Sequence, residues 1–229
     1  MIISHKHKFI FVKTQKTAGS SLEIALSAIC GAEDVLTPLD EDEEKVRKAL
    51  GYRGAQNYII PFWQYKTLDW AKFFYFRKRL QYYHHMSAHQ IKWYLGADIW
   101  KSYFTFCFER NPWDKVISYY YWEEGDRREK NIQDFLLSGR GGDMRGFDLY
   151  SQGGVPIVDK VYKYENMEDN LKDLSDRLGL CTALRLPEYR AKGGARKDKR
   201  SYREILSAQE AELIAAIFAR EIKYFSYYF

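Results

Sequence analysis

Three cysteines in 229 residues, Cys30, Cys107 and Cys181, are odd in number and far apart, which excludes a disulfide framework and any metal-ligand spacing. They read as reduced, buried thiols. No apolar run approaches the ~20 residues that cross a bilayer. The opening MIISHKHKFIFV is too short and too polar in its middle for a secretory signal, so a soluble, cytoplasmic setting is expected. The chain also lacks G-x-x-x-x-G-K-[ST], which excludes the usual nucleoside-triphosphate loop, where lysine directly precedes the hydroxyl that holds magnesium. Internal repeats and low-complexity tails are absent as well.

What the chain does contain is 46% hydrophobic and 29% charged residues, the balance of a soluble globular protein with one sizeable core, taken as a single domain over 1–229. The net charge of +5 is concentrated. Between Arg185 and Arg200 lie seven basic residues and two acids, an excess of five that equals that of the whole chain. So local a basic loop suits one anionic ligand better than a nucleic-acid track, so no nucleic-acid partner is expected.

The organising stretch is FIFVKTQKTAGSSLE, Phe9–Glu23. Phe9–Val12 suits a strand buried on both faces, and a helical pattern opens at Gly19. Between them, Lys16, Thr17, Ala18, Gly19, Ser20 and Ser21 occupy the start of a helix, where backbone N–H groups and the positive dipole end converge. The stretch reads as an anion-cradling loop; the competing reading is an ordinary strand–turn–helix with solvated lysines.

A second such unit is YFTFCFERNPWDKVISYYYW at 103–122. Tyr103–Phe108 predicts a buried strand, Asn111 a helix cap and Pro112 the first helical position. Arg110 then lies at the C-terminal end of a strand, where open α/β sheets bind ligands, and Ser118 sits one turn beyond Asp114. Two strand–loop–helix units, each with a cation in its loop, point to a ligand with two anionic ends.

Between them, Asp40–Glu44 favours the start of a helix running to about Leu50. Residues 52–83 are irregular and aromatic-rich. A lid or acceptor groove, a membrane-surface patch, and plain core or dimer contact compete there; core is expected for most, with a few side chains lining an acceptor site. His84, His85 and His89 open a helix through Leu95. Metal ligation, general-base chemistry near pH 7 and helix capping all remain open for them, although no second ligand cluster accompanies the histidines. Gly139–Gly154 reads as a mobile loop. Val158–Tyr164 predicts a strand, followed by a helix bearing Met167, Leu171, Leu174 and Leu178. Ser207 and Glu210 form a capping box for a last helix.

With these motifs in order, the chain resembles the PAPS-dependent sulfotransferases, in the bacterial and carbohydrate-type "family 2" branch; PAPS is 3′-phosphoadenosine 5′-phosphosulfate. KTAGSSLE at 16–23 is similar to the family's 5′-phosphosulfate loop, and FERNPWDKVISYYY at 108–121 to its 3′-phosphate segment. HMSAHQIKWYLG at 85–96 and YKYENMEDNLKDLSDRLGL at 162–180 follow suit. The resemblance implies an α/β, P-loop-like three-layer sandwich with a central mostly parallel sheet. It implies transfer of a sulfuryl group to a hydroxyl or amine of a carbohydrate or glycosylated metabolite, with PAP as product and no metal. Lys16 would bind the 5′-phosphate and steady the leaving oxygen, with Thr17, Ala18, Gly19, Ser20 and Ser21 around it. Arg110 and Ser118 would hold the 3′-phosphate, and Arg196 and Lys197 would close over the cofactor. His85 would be the base, with His84 and Glu23 as rivals. Ala18 departs from the family in standing where many relatives have a second glycine. The other readings are a nucleoside-kinase-type phosphotransferase and a non-catalytic binder of nucleotide or nucleic acid.

Overall fold

The computed structural model describes residues 1–123, 131–188, 196 and 198–229. Lys197, expected to help cover the ligand, lies outside these residues.

The chain opens on two short strands, β1 (Ile2–Ser4) and β2 (Phe9–Phe11), paired antiparallel. The cradle helix α1 follows (Gly19–Ser27), then β3 (Val35–Leu36) and α2 (Glu41–Ala49). Next come α3 (Thr67–Phe76), α4 (Ala88–Leu95), α5 (Ala97–Ser102), β4 (Phe104–Glu109) and α6 (Pro112–Trp122). Beyond these lie α7 (Ile132–Leu137), α8 (Phe147–Tyr150), a hairpin of β5 (Ser151–Gln152) and β6 (Val155–Pro156), β7 (Lys160–Lys163) and α9 (Met167–Arg177). Three helices complete the chain, α10 (Tyr202–Ile205), α11 (Ala208–Ile217) and α12 (Ala219–Phe225).

The central sheet runs in the order β3-β1-β2-β4-β7. β4 is parallel to both β2 and β7, while β1 is antiparallel to β2 and β3, so β1 alone runs against the other four. Alternation along the strands sends side chains to two faces. Phe9, Phe11, Phe106 and Phe108 meet Leu22 and Leu26 of α1 and Leu171 and Leu174 of α9. Ile3, Ile10 and Cys107 meet Ile91 of α4, Tyr150 of α8 and Phe225 of α12. The architecture is therefore a mixed α/β fold with a mostly parallel sheet between helical layers. A separate apolar cluster packs α6 against α7 and α11 through Val116, Ile117, Phe135 and Ile214.

Several elements depart from the sequence reading. β1 and β3, of three and two residues, are too short to carry a periodic signal. α3 arises inside the stretch read as irregular, because TLDWAKFFYF has no polar face to mark a helix. Most aromatics of that stretch are not core: Trp63 is 85% exposed and Tyr75 81%. The segment read as a mobile loop instead buries Phe147, Leu149 and Tyr150 under the sheet. The predicted last helix breaks at Phe218 into α11 and α12. Cys30 and Cys107 are buried, but Cys181 is exposed, contrary to expectation.

Candidate active site

β2 and β4 are neighbours in parallel register, with Phe11 opposite Phe106, so the loops after them emerge side by side at the C-terminal edge of the sheet. Thr14 Oγ1 donates to the Phe108 carbonyl and contacts Thr17 Oγ1 at 2.8 Å, which ties the first loop to the second strand. A cavity of about 1020 Å³ opens between the loops, at the upper end of the range for ligand pockets, about 300–1,000 Å³.

The first loop has a strained backbone. Lys16 and Ala18 both adopt φ of 60°, and Ala18 is the residue before α1. A left-handed conformation costs an L-residue roughly 1–2 kcal/mol and glycine almost nothing. Glycine would adopt this conformation at little cost, whereas Ala18 meets it with strain. The first backbone bond of α1 runs from Leu22 N to the Ala18 carbonyl, so the N–H groups of Gly19, Ser20 and Ser21 have no intrahelical acceptor. All three residues line the cavity, together with Lys16 and Ala18. Thr17 is fully buried with its hydroxyl turned onto Thr14, so its part in an anion cradle is limited to its backbone.

Lys13, which the sequence reading passed over, is central to this loop. Its stem lies against Gly19, where a Cβ would come within 2.7 Å of Lys13 Cγ. Its ammonium donates to Ser20 Oγ at 3.1 Å and to Glu23 Oε2 at 2.5 Å. Glu23 is fully buried; its other oxygen accepts from the Met1 amino group and from Thr37 Oγ1. Burial opposes ionisation of Glu23, but the Lys13 and Met1 charges outweigh it and hold the carboxyl down at about 2. Glu23 thus lies beneath the loop as a counter-ion, outside the described lining of the cavity.

The second loop presents Arg110, whose guanidinium is held on four sides. It donates to Asp114 Oδ2 from Nε at 2.9 Å and from Nη2 at 2.6 Å. Nη1 donates to the Lys16 carbonyl at 3.0 Å, and the Tyr164 ring lies 4.3 Å below its centre. Tyr164 is in place because β7, which ends at Lys163, pairs with Glu109. Asp114 Oδ1 also accepts from Arg196 Nη1 at 2.6 Å, so one carboxylate orients both arginines. Burial works against this charge too, but the two guanidiniums win and lower the carboxyl's pKa. Asn111 caps α6 by accepting from Trp113 N at 3.1 Å, and Pro112 opens the helix as predicted. Ser118 lines the cavity one turn from Asp114, and the Lys16 ammonium lies 5.1 Å from the Trp122 ring a further turn on.

His84 and His85 form another part of the cavity wall, just ahead of α4, which Ser87 and Gln90 cap reciprocally. His85 Nδ1 is 2.9 Å from the Lys13 carbonyl. A carbonyl only accepts, so Nδ1 carries the proton and Nε2 keeps its lone pair. Burial pushes the His85 pKa down to about 4; the bond to the Lys13 carbonyl resists and the Lys13 charge adds to the fall. At neutral pH the ring is an uncharged base. Burial lowers His84 as well, and its Nδ1 is buried without a hydrogen-bond partner.

The structure therefore brings Lys16, Ala18, Gly19, Ser20, Ser21, Arg110, Ser118, Arg196, His84 and His85 to one cavity. It leaves Thr17 and Glu23 off the described lining, and likewise all of 52–83, expected to supply acceptor contacts. Of the residues missed, Asp114 was legible as an acid four positions after an arginine on a helix start. Lys13 was missed because its pairing with Glu23, ten positions on across a strand end and a turn, matches no local spacing.

The two loops give an α/β protein with a cavity at the sheet's C-terminal edge to which Lys16, Arg110, Arg196 and the start of α1 contribute. No known protein-family profile matches the chain. It is 33% identical over 104 residues to an uncharacterized protein of Archaeoglobus fulgidus, a match covering 43% of this chain and 87% of that one. The chain belongs to the same family as that archaeal protein. Among solved structures it is similar to mouse sulfotransferase SULT7A1 complexed with PAP, at a TM-score of 0.49 and 12% identity, over 96% of this chain and 86% of that one. A likeness that remote says nothing about what this chain binds.

Proposed function

We propose that the protein is a sulfotransferase that uses PAPS to sulfate a hydroxyl or amine. The observation that carries the reading is the convergence, in one cavity, of two separate anion cradles with a neutral, correctly protonated histidine. The donor set fits such a ligand: helix N–H groups, hydroxyls, lysine and arginine favour anionic oxygen. Lys16 and the start of α1 would hold the 5′-phosphosulfate end, and Arg110, Ser118 and Arg196 the 3′-phosphate. PAPS, when bound, supplies the sulfuryl group and leaves as PAP. His85 Nε2 takes the proton from the acceptor as its oxygen or nitrogen bonds to sulfur. Lys16 offsets the charge that grows on the phosphate oxygen as the old sulfur–oxygen bond breaks. In-line transfer of this kind depends on positioning and fixed positive charge, as in phosphoryl transfer. The carbohydrate acceptor is carried by the resemblance alone, because the aromatics of 52–83 do not line the cavity.

Thermal denaturation separates this from the phosphotransferase reading. PAP at about 100 times its Kd should stabilise the protein by about 2.7 kcal/mol, several degrees in Tm. ATP with magnesium should do much less, since it lacks the 3′-phosphate. Stabilisation by ATP–magnesium without any by PAP would overturn the proposal.

The base assignment has its own signature. His85→Ala should lower turnover by about 10²–10⁴-fold. Because burial depresses His85, kcat/KM should hold as pH falls through 6.5 and decline only near pH 4, where Nε2 gains its proton. An acid limb centred near the ordinary histidine value of about 6.5 would remove His85 from the role.

A further inference from the structure

The surface carrying α3 has its polarity reversed. Asp69 is the buried residue of this helix, and its carboxylate accepts from the Lys66 N–H at 2.9 Å and the Tyr94 hydroxyl at 3.2 Å. Phe73, four residues on, packs against the core below. At 100° per residue, Leu68, Trp70, Ala71, Phe74 and Tyr75 fall on the opposite arc. That arc is exposed: Leu68 by 75%, Phe74 by 60% and Tyr75 by 81%, with Trp63 exposed on the preceding turn. Trp70 stacks on Phe62 at 5.3 Å and on Phe74 at 6.0 Å, which joins these three rings. A surface helix normally turns such residues inward, and a contiguous apolar patch on a monomer marks an interaction site.

The cations complete the pattern. Lys66, Lys72, Arg77, Lys78 and Arg79 are all exposed, while Asp69, the one acid between Lys66 and Arg79, is buried. The patch therefore offers five positive charges and no exposed negative one. A second copy of the chain would set five cations against five, and lysine is depleted from the cores of protein interfaces. Single-stranded nucleic acid is held in a basic groove between stacking platforms, whereas this is the convex side of a helix. Aromatic and leucine side chains on one arc, with lysine and arginine beside them, match an interfacial helix on anionic lipid. Among the described residues no helix is long and apolar enough to cross a membrane, so the contact lies in the surface plane.

We propose that the face formed by Trp63, Leu68, Phe74 and Tyr75 docks on an anionic phospholipid bilayer. The rings enter the headgroup boundary, and Lys66, Lys72 and Arg77–Arg79 meet lipid phosphates. None of these residues lines the cavity, and the inference does not depend on the proposed reaction.

Co-sedimentation of the full chain with vesicles tests it. Vesicles of phosphatidylcholine containing about a third phosphatidylserine should bind the protein about tenfold more strongly than phosphatidylcholine alone. Raising the salt so that the Debye length falls from about 10 Å towards 3 Å should weaken that binding. Two variants, Leu68→Ser/Phe74→Ser/Tyr75→Ser and Lys72→Glu/Lys78→Glu, should each cut binding to the anionic vesicles by about tenfold or more. Both alter exposed side chains, so an unchanged Tm would confirm that they remain folded. Equal binding to the two vesicle types, or full binding by either folded variant, would overturn the proposal. So would wild-type protein that ignores vesicles yet forms a dimer that the first variant abolishes.

Discussion

Replacing Glu23 with alanine should destabilise the protein by about 3–5 kcal/mol, the largest effect expected of any single substitution near the site. Removing one partner of a buried pair leaves the other charge uncompensated. Here the stranded group is Lys13, whose side chain is 8% exposed and whose stem lies against Gly19. Denaturant unfolding would measure the loss. Glu23→Gln keeps the shape and removes the charge, and should fall between wild type and alanine. The pH dependence adds a sign. Glu23 titrates near 2 when folded and about 4.3 when unfolded. Its contribution is therefore complete above pH 4.3 and is lost as pH falls towards 2. Wild-type stability should decline across that window, and the glutamine variant should decline less. A Glu23→Gln protein of wild-type stability with no turnover would make Glu23 the base and remove it from the structural role.

Arg110→Ala should raise the Kd for PAP by about 10–100-fold, because a charge-assisted hydrogen bond contributes roughly 1.5–3 kcal/mol and every 1.4 kcal/mol is tenfold. The loss has two sources. One is direct, the positive charge facing a phosphate. The other passes through the scaffold, since Arg110 also holds the Lys16 carbonyl and shares Asp114 with Arg196. Arg110→Lys should recover only part of the affinity. A lysine restores the charge but cannot bond Asp114 twice, reach Lys16 and stack on Tyr164 at once. Titration calorimetry with PAP would read both variants. A Kd for Arg110→Ala within about twofold of wild type would remove Arg110 from the binding site.

The parts of the site legible in the sequence were those encoded by neighbours along the chain. Phe9–Val12 followed by small residues announced a buried strand and a helix start, and Glu109-Arg110-Asn111-Pro112 announced the second. Both loops occupy the same edge because β2 and β4 are parallel and adjacent; the apolar runs implied strands buried on both faces, while their adjacency is a result of folding. The groups that hold the loops rigid were not legible. Lys13 with Glu23, Thr14 with the Phe108 carbonyl, and Arg110 with the Lys16 carbonyl are contacts made by folding, separated by 10, 94 and 94 positions. The aromatic run at 73–76 misled for another reason. Composition predicts burial only when a core is available to receive the side chains, and of this run only Phe73 packs against the core.

The bond from Arg110 to the Lys16 carbonyl turns the two loops into the jaws of a caliper. With Thr14 tying the same loop to the end of β4, two side-chain bonds to backbone carbonyls hold the jaws in register. On the proposed function, this would sort ligands by the distance between their anionic ends as well as by their charge. On the proposed reading, a free phosphate or sulfate ion would engage one loop at a time, whereas a ligand with an anion at each end would engage both.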